Sequence, residues 1–234
     1  KSWKNVFRTI IPDKNNIVSL DISKYDPKKL IIGTEKGIFF SEDAGVKWVD
    51  ISEVLRNKSI SYVALNRNSV YAGADDGLYI RREGSSGWER IYVNSAVESN
   101  REGSELNVDD NAEDAPEPVI CIAIKGSRIY AGLSRKILHS DNEGKAWHNF
   151  SSDGLAGNLR HILASRKGEK IYCATTKGVF EYIGDKAKWI ELYRGMDRIP
   201  SVNNLVFCAE DERSLWAVTD KGLYKLESGF YSQD

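Results

Sequence analysis

A chain of 234 residues, 41% hydrophobic and 29% charged, is long enough to bury a sizeable core as one all-β domain. It holds no apolar run near the roughly 20 residues of a membrane-spanning helix, so no membrane span is expected, and at a net charge of −1 no nucleic-acid partner is expected either. Cys121, Cys173 and Cys208 sit singly in apolar runs, without framework or metal spacing, and read as buried free thiols.

In chain order, a tryptophan strand at residues 2–10 (Trp3) comes first, followed by four similar units and a fifth that stops short. Each unit opens with an apolar strand: "IVSLDI", "ISYVALN", "VICIAI", "HILAS" and "NLVFCA". A two-strand phrase follows: "KLIIGTEKGIFF", "SVYAGADDGLYI", "RIYAGLSRKILH", "KIYCATTKGVFE" and "SLWAVTDKGLYK". Apolar residues alternate with period two throughout, which predicts strands rather than helices. Gly37, Gly77, Gly178 and Gly222 open the third strands, where a tight hairpin calls for positive φ. Gly33, Gly73, Gly132 and Ala174 fall late in the second strands, where neighbouring sheets would crowd.

Trp48, Trp88, Trp147 and Trp189 then close four of the units. Their spacing, with Trp3, is near forty residues once the 94–118 stretch is set aside, the length of one four-stranded propeller blade. The prediction is a five-bladed β-propeller of antiparallel four-stranded blades in one domain, 1–234. The blades run about 17–52, 60–93, 119–150, 159–193 and 202–227, the last completed by residues 2–10, whose pairing would close the ring and leave no sheet edge. A cut piece of a larger propeller would show the same complementary ends. Residues 94–118 form an acidic inserted loop with a net charge of −7, leaving +6 for the rest of the chain. Such a stretch reads as a solvated excursion, or as an internal mimic of an acidic partner.

Two turns share one spacing: Ser41, Asp43, Gly45, Trp48, and Ser140, Asn142, Gly144, Trp147. This pattern resembles the Asp-box, or BNR repeat, of sialidases, sortilin-like receptors and photosystem II assembly factors. "REGSSGW" and "YIGDKAKW" look like degenerate copies. The whole most resembles secreted bacterial BNR proteins and the assembly-factor family. The resemblance implies a structural role for these residues: the short side chain accepts backbone N–H groups of its own turn and the tryptophan covers it. It also implies an extracytoplasmic setting.

No nucleophile elbow, phosphate loop or metal-spaced histidine pair occurs. "RIP" at Arg198, Ile199 and Pro200 is like a sialidase tripeptide but lies after both boxes instead of before them. No enzyme, cofactor or metal is therefore expected. The loops between blades carry Arg56, Arg160, Arg194 and Arg198, with Tyr62 and His161 beside them; Lys36, Arg135, Lys177 and Lys221 come from the shorter turns. Forked guanidinium groups on fixed loops suit carboxylate or phosphate recognition. The expected function is a monomeric, non-catalytic interaction or assembly module, its partner a protein or an acidic, carboxylate-bearing ligand. The alternative is a carbohydrate-active protein, either a lectin or a sialidase-like glycoside hydrolase.

Overall fold

Alternating sequences of this kind must pair their backbones laterally, and the computed structural model shows that they do. It describes residues 2–11, 14–67, 69–91, 117–165, 170–192, 194, 196, 199–207 and 214–227. The first sheet joins β1 (Ile17–Ile22), β2 (Leu30–Thr34), β3 (Gly37–Ser41) and β4 (Val49–Asp50), and the second β5 (Ile60–Asn66), β6 (Ser69–Ala74), β7 (Gly77–Arg82) and β8 (Glu89–Ile91). The third joins β9 (Cys121–Lys125), β10 (Arg128–Gly132), β11 (Ile137–Ser140) and β12 (His148–Phe150). The fourth holds β13 (Leu159–Ala164), β14 (Ile171–Thr175), β15 (Gly178–Ile183) and β16 (Lys188–Glu191). The fifth holds β17 (Val202–Phe207), β18 (Ser214–Thr219) and β19 (Gly222–Glu227). Strands are ordered sequentially within each sheet, and the five sheets are the blades of a five-bladed β-propeller.

Residues 1–119 with 140–149 make one compact unit, and 120–139 with 150–234 another. In the first unit the core gathers Ile31, Ile38, Leu55, Ile60, Val63 and Ala72. In the second, Tyr172, Ala174, Val202, Leu205, Leu215 and Ala217 pack together. Cys121 and Cys173 are buried free thiols, as expected; Cys208 lies outside the described residues.

The same irregularity recurs in four innermost strands. A β-bulge falls between Ile17 and Ser19, Ile60 and Tyr62, Leu159 and His161, and Val202 and Asn204. Beyond it, Ser19 lies opposite Gly33, Tyr62 opposite Gly73, His161 opposite Ala174 and Asn204 opposite Val218. A Cβ on Gly33 would lie 3.0 Å from Ile60 and Val63, and one on Gly73 2.7 Å from the Val119 carbonyl oxygen. The small residues late in the second strand are there because the next innermost strand arrives within contact distance. Polar side chains join the same junctions: Ser19 Oγ accepts the Val63 N–H at 3.1 Å, and Asp21 that of Leu65 at 2.8 Å.

Two expectations are corrected. Gly77, Gly178 and Gly222 have the positive φ a tight hairpin requires, whereas Gly37 is needed for space, since a Cβ there would lie 2.6 Å from Ser52 Oγ. Residues 2–9 form no strand, where one was expected, and among the described residues the fifth sheet has three strands, β17, β18 and β19. Instead the N-terminal segment lies on the first blade. Trp48 Nε1 donates to the Val6 carbonyl at 2.9 Å, and the Phe7 ring meets those of Phe39 and Trp48 at 4.9 and 5.4 Å. Aromatic burial on the first sheet holds the segment there in place of backbone pairing.

Candidate functional site

The two serine turns are near-identical in geometry. Ser41 Oγ donates to Asp43 Oδ1 at 3.0 Å and accepts the N–H groups of Asp43 and Gly45 at 3.3 and 2.9 Å; Asp43 Oδ1 also accepts Lys47 N–H at 2.7 Å. Ser140 repeats this with Asn142 and Gly144 at 2.9, 3.3 and 2.9 Å, and Asn142 Oδ1 accepts Ala146 N–H at 2.8 Å. Gly45 and Gly144 take φ of 83° and 86°, and Trp48 and Trp147 Nε1 donate to their carbonyls at 3.2 and 3.1 Å. The backbone N–H of Lys47, aided by Ser41, holds the Asp43 carboxyl below its ordinary range despite some burial cost. An Asn serves equally because only the accepting oxygen is used. These side chains are committed to folding the turn. Trp147 is buried as expected, but Trp48 is only half-buried, since the short N-terminal segment covers it.

A second recurrent turn lies at the opposite end of β3, β15 and β19. Thr34, Thr175 and Thr219 each donate Oγ1–H to a glycine carbonyl three residues on, at 3.1, 3.4 and 2.8 Å. Each Oγ1 also accepts the N–H of Lys36, Lys177 or Lys221, at 3.3, 3.0 and 3.0 Å. "TEKG", "TTKG" and "TDKG" thus present three exposed lysines on one braced backbone. The second blade has Asp76 instead of a lysine. That carboxylate accepts Lys58 Nζ at 2.6 Å and Tyr79 Oη at 3.0 Å, while Arg90 Nη2 lies 3.7 Å away. Burial works against its charge, yet these partners hold its pKa down, and Asp76 raises that of Lys58. In the first blade, buried Lys14 donates to Asp50 at 2.8 Å and stands over the Phe39 ring. Asp50, also bonded by Ser52 Oγ at 2.5 Å, is held low by these contacts against its burial. Both carboxylates are fixed anions.

Of the residues singled out from sequence, Arg56 is exposed just after a 3-10 turn at Glu53–Leu55. Arg160, near the start of β13, and Arg194 are also exposed. Arg198 and the insertion through residue 116 lie outside the described residues. Tyr62 and His161 sit within innermost strands, at the bulge position, and not in loops. His161 Nδ1 accepts the Leu205 N–H at 3.4 Å, and burial lowers its pKa to about 4, so it is a neutral junction residue. Burial likewise pushes the Cys121 thiol up to about 12 and raises that of Cys173, removing both as nucleophiles near neutrality. The ion pairs of Lys14 and Lys58 escaped the sequence reading because their partners are 36 and 18 residues away.

Among the described residues no group of three or more His, Cys, Asp or Glu could hold a metal, and no helix is long and apolar enough to cross a membrane. No protein-family model matches the chain, and no curated protein matches it. Solved structures do. The chain is similar to YCF48 from Cyanidioschyzon merolae, with TM-score 0.67 and 14% identity over 93% of this chain and 68% of that one. A structure of YCF48 bound to a D1 peptide gives 0.64 and 14%, over 93% and 67%. The GH74 xyloglucanase from Xanthomonas campestris gives 0.65 and 11%, over 92% of this chain and only 37% of that one. At such identities the likeness is one of fold.

Proposed function

We propose that this chain is a non-catalytic protein-interaction module that takes a carboxylate-bearing peptide segment through the turns and loops at the lysine end of its blades. The observation that carries this reading is the threefold recurrence of a threonine-braced turn with an exposed lysine. The ammonium group is flexible, but its backbone is fixed before any ligand arrives, which lowers the ordering cost of binding. Arg56 and Arg194, from the loops between blades, Arg160, near the start of β13, and Arg198, outside the described residues, would add forked donors. Asp43, Asp50 and Asp76 are anions committed to turns or ion pairs, which suits a scaffold better than acid–base chemistry. Support of a different kind comes from YCF48, a similar fold whose structure has been determined with a D1 peptide. In the same reading the two serine turns are Asp-boxes and the protein works outside the cytoplasm. The xyloglucanase likeness keeps a carbohydrate-active reading as the second one.

Fluorescence anisotropy with a glutamate-rich peptide tests this. Binding is expected at low salt, falling as ionic strength rises. It should weaken at least about tenfold in Lys36→Glu/Lys177→Glu/Lys221→Glu. Equal binding by the triple variant, or none at low salt, refutes the proposal; binding or cleavage of xyloglucan oligosaccharides supports the second reading.

A further inference from the structure

The turn between β1 and β2 takes seven residues, 23–29, where β5 and β6 are joined by two. Its frame is closed by hydrogen bonds of its own. Ser23 Oγ accepts the N–H groups of Tyr25 and Asp26, each at 3.2 Å, and the Asp26 carboxylate accepts that of Lys28 at 3.0 Å. Ser23 N–H donates to the Lys29 carbonyl at 2.9 Å, and Lys29 N–H to that of Asp26 at 3.0 Å. Pro27 fixes one further φ. This frame presents Lys24, Tyr25 and Lys28, all exposed. Tyr25 is 56% exposed, and the Arg67 guanidinium, from the turn between β5 and β6, stands 5.1 Å from its ring centroid.

The first serine turn lies beside it, at the same end of the blade. Ala44 N–H donates to the Lys28 carbonyl at 2.9 Å, which ties the two turns together. The serine turn carries Val46, 77% exposed. Its geometry does not require an apolar residue there. Lys145 holds that position in the second serine turn, and the N–H groups of Val46 and Lys145 make the same bond, to Asp43 and Asn142 at 3.4 and 3.3 Å. One exposed valine is ordinary; two apolar side chains on linked turns among cations form a pattern. Lys24, Lys28 and Lys29 share the first turn, Lys47 follows Val46, and Arg67 covers Tyr25. Among the described residues, Lys24, Lys28 and Lys29 have no ion-pair partner. The acids of the two turns are Asp26, Glu42 and Asp43, and the N–H groups of Lys28 and Lys47 fold Asp26 and Asp43 into their own turns. The outward charge is positive.

We propose that this end of the first blade docks on an anionic membrane surface: Tyr25 and Val46 enter the headgroup layer, and Lys24, Lys28, Lys29 and Lys47 meet the lipid phosphates. A tyrosine suits that layer because its ring is apolar and its hydroxyl stays wet. Lysine stems can lie along the apolar side chains while their ammonium groups reach the phosphates. Each cation near such a surface strengthens attachment about fivefold. The two turns are rigid before contact, so little ordering is needed on docking. A dissolved polyanion would use the cations and leave Tyr25 and Val46 in water, so the apolar pair favours a lipid surface. The patch lies at the opposite end of the first blade from Lys36 and does not rest on the peptide reading.

Vesicle flotation of the full chain tests this, with phosphatidylcholine vesicles and with the same vesicles carrying about 30% phosphatidylglycerol. The chain should float with the anionic vesicles at low salt, stay behind with the neutral ones, and detach as ionic strength rises. Lys24→Ala/Lys28→Ala should weaken partitioning about 25-fold, at about fivefold per cation. Tyr25→Ser/Val46→Ser should weaken it at least about fivefold, without lowering retention on heparin, an anion with no apolar interior. All four side chains are exposed, and far-ultraviolet circular dichroism verifies that the variants are folded. No flotation with anionic vesicles, equal flotation with neutral ones, or flotation unchanged in either double variant overturns the proposal. Heparin retention that falls together with flotation in Tyr25→Ser/Val46→Ser assigns the pair to a dissolved polyanion and overturns it as well.

Discussion

Trp147→Ala is the sharpest perturbation of the serine turns. The indole is 6% exposed, lies 3.6 Å from where a Cβ on Gly144 would be, and donates Nε1–H to the Gly144 carbonyl at 3.1 Å. Truncation removes a large buried aromatic and leaves that carbonyl without its donor, a combined loss of about 3–5 kcal/mol. At about 2–4 °C per kcal/mol for a chain of this size, the melting midpoint should fall by about 6–20 °C. Trp48→Ala offers an internal comparison. Its turn is the same, but the indole is half-buried, and its cover includes Val6 and Phe7 from the N-terminal segment. It should cost about half as much, because the area returned to water is smaller. Thermal and urea melts of both variants, followed by circular dichroism, measure the two losses. A Trp147→Ala protein melting within 2 °C of the parent, about the smallest shift a 1 kcal/mol loss would give, would refute the argument. So would the opposite order of the two variants.

Gly73→Ala should destabilise by about 1–3 kcal/mol, because the added methyl group meets the backbone oxygen of Val119 at 2.7 Å and that carbonyl already accepts the Ser61 hydroxyl; urea midpoints measure it. Ser140→Ala strips the buried Gly144 N–H of its acceptor and should cost about 1–3 kcal/mol, again by urea melts. His161 gives the pH dependence. Burial sets its folded pKa near 4 against an ordinary 6.5, so below 6.5 the unfolded chain binds a proton that the folded chain refuses. Its contribution is intact above about pH 6.5 and is lost as the pH falls towards 4, by up to about 3 kcal/mol. Stability measured from pH 4 to 7.5 should show this slope, and His161→Gln should flatten it.

The fold was legible because its signals are local and repeated. Strand alternation, the Thr-Lys-Gly turns and the serine turns each fit within eight residues, and each is satisfied by hydrogen bonds between neighbours in sequence. What escaped depends on distance. Lys14 finds Asp50 and Lys58 finds Asp76 only after the strands between them have paired. Tyr62 and His161 were expected in strands beside the loop arginines; the bulge that sets them opposite Gly73 and Ala174 has no signal in the sequence pattern. The N-terminal segment is no strand for a related reason. Its tryptophan identified the kind of strand it resembles, while Phe39 and Trp48 decided where its aromatic residue would rest.

That last difference bears on how such a repeat can work. A blade is specified twice, once by its own hairpins and once by what presses on its two faces. Among the described residues the first specification is complete in four sheets, and the fifth shows two of the three hairpins. The second is complete only where a small residue late in one second strand meets branched residues flanking the bulge of the next strand, as at Gly33 with Ile60 and Val63. Polar bonds from Ser19, Asp21 and His161 to the next strand's N–H groups fix the same junctions. Side chains on those faces are therefore constrained by packing and by buried hydrogen bonds, with little room to vary for function. The threonine-braced turns are constrained only in backbone, so their lysines can change without cost to the blade. Binding specificity can accordingly be written at the turns, and Lys36, Lys177 and Lys221 are where it is sought.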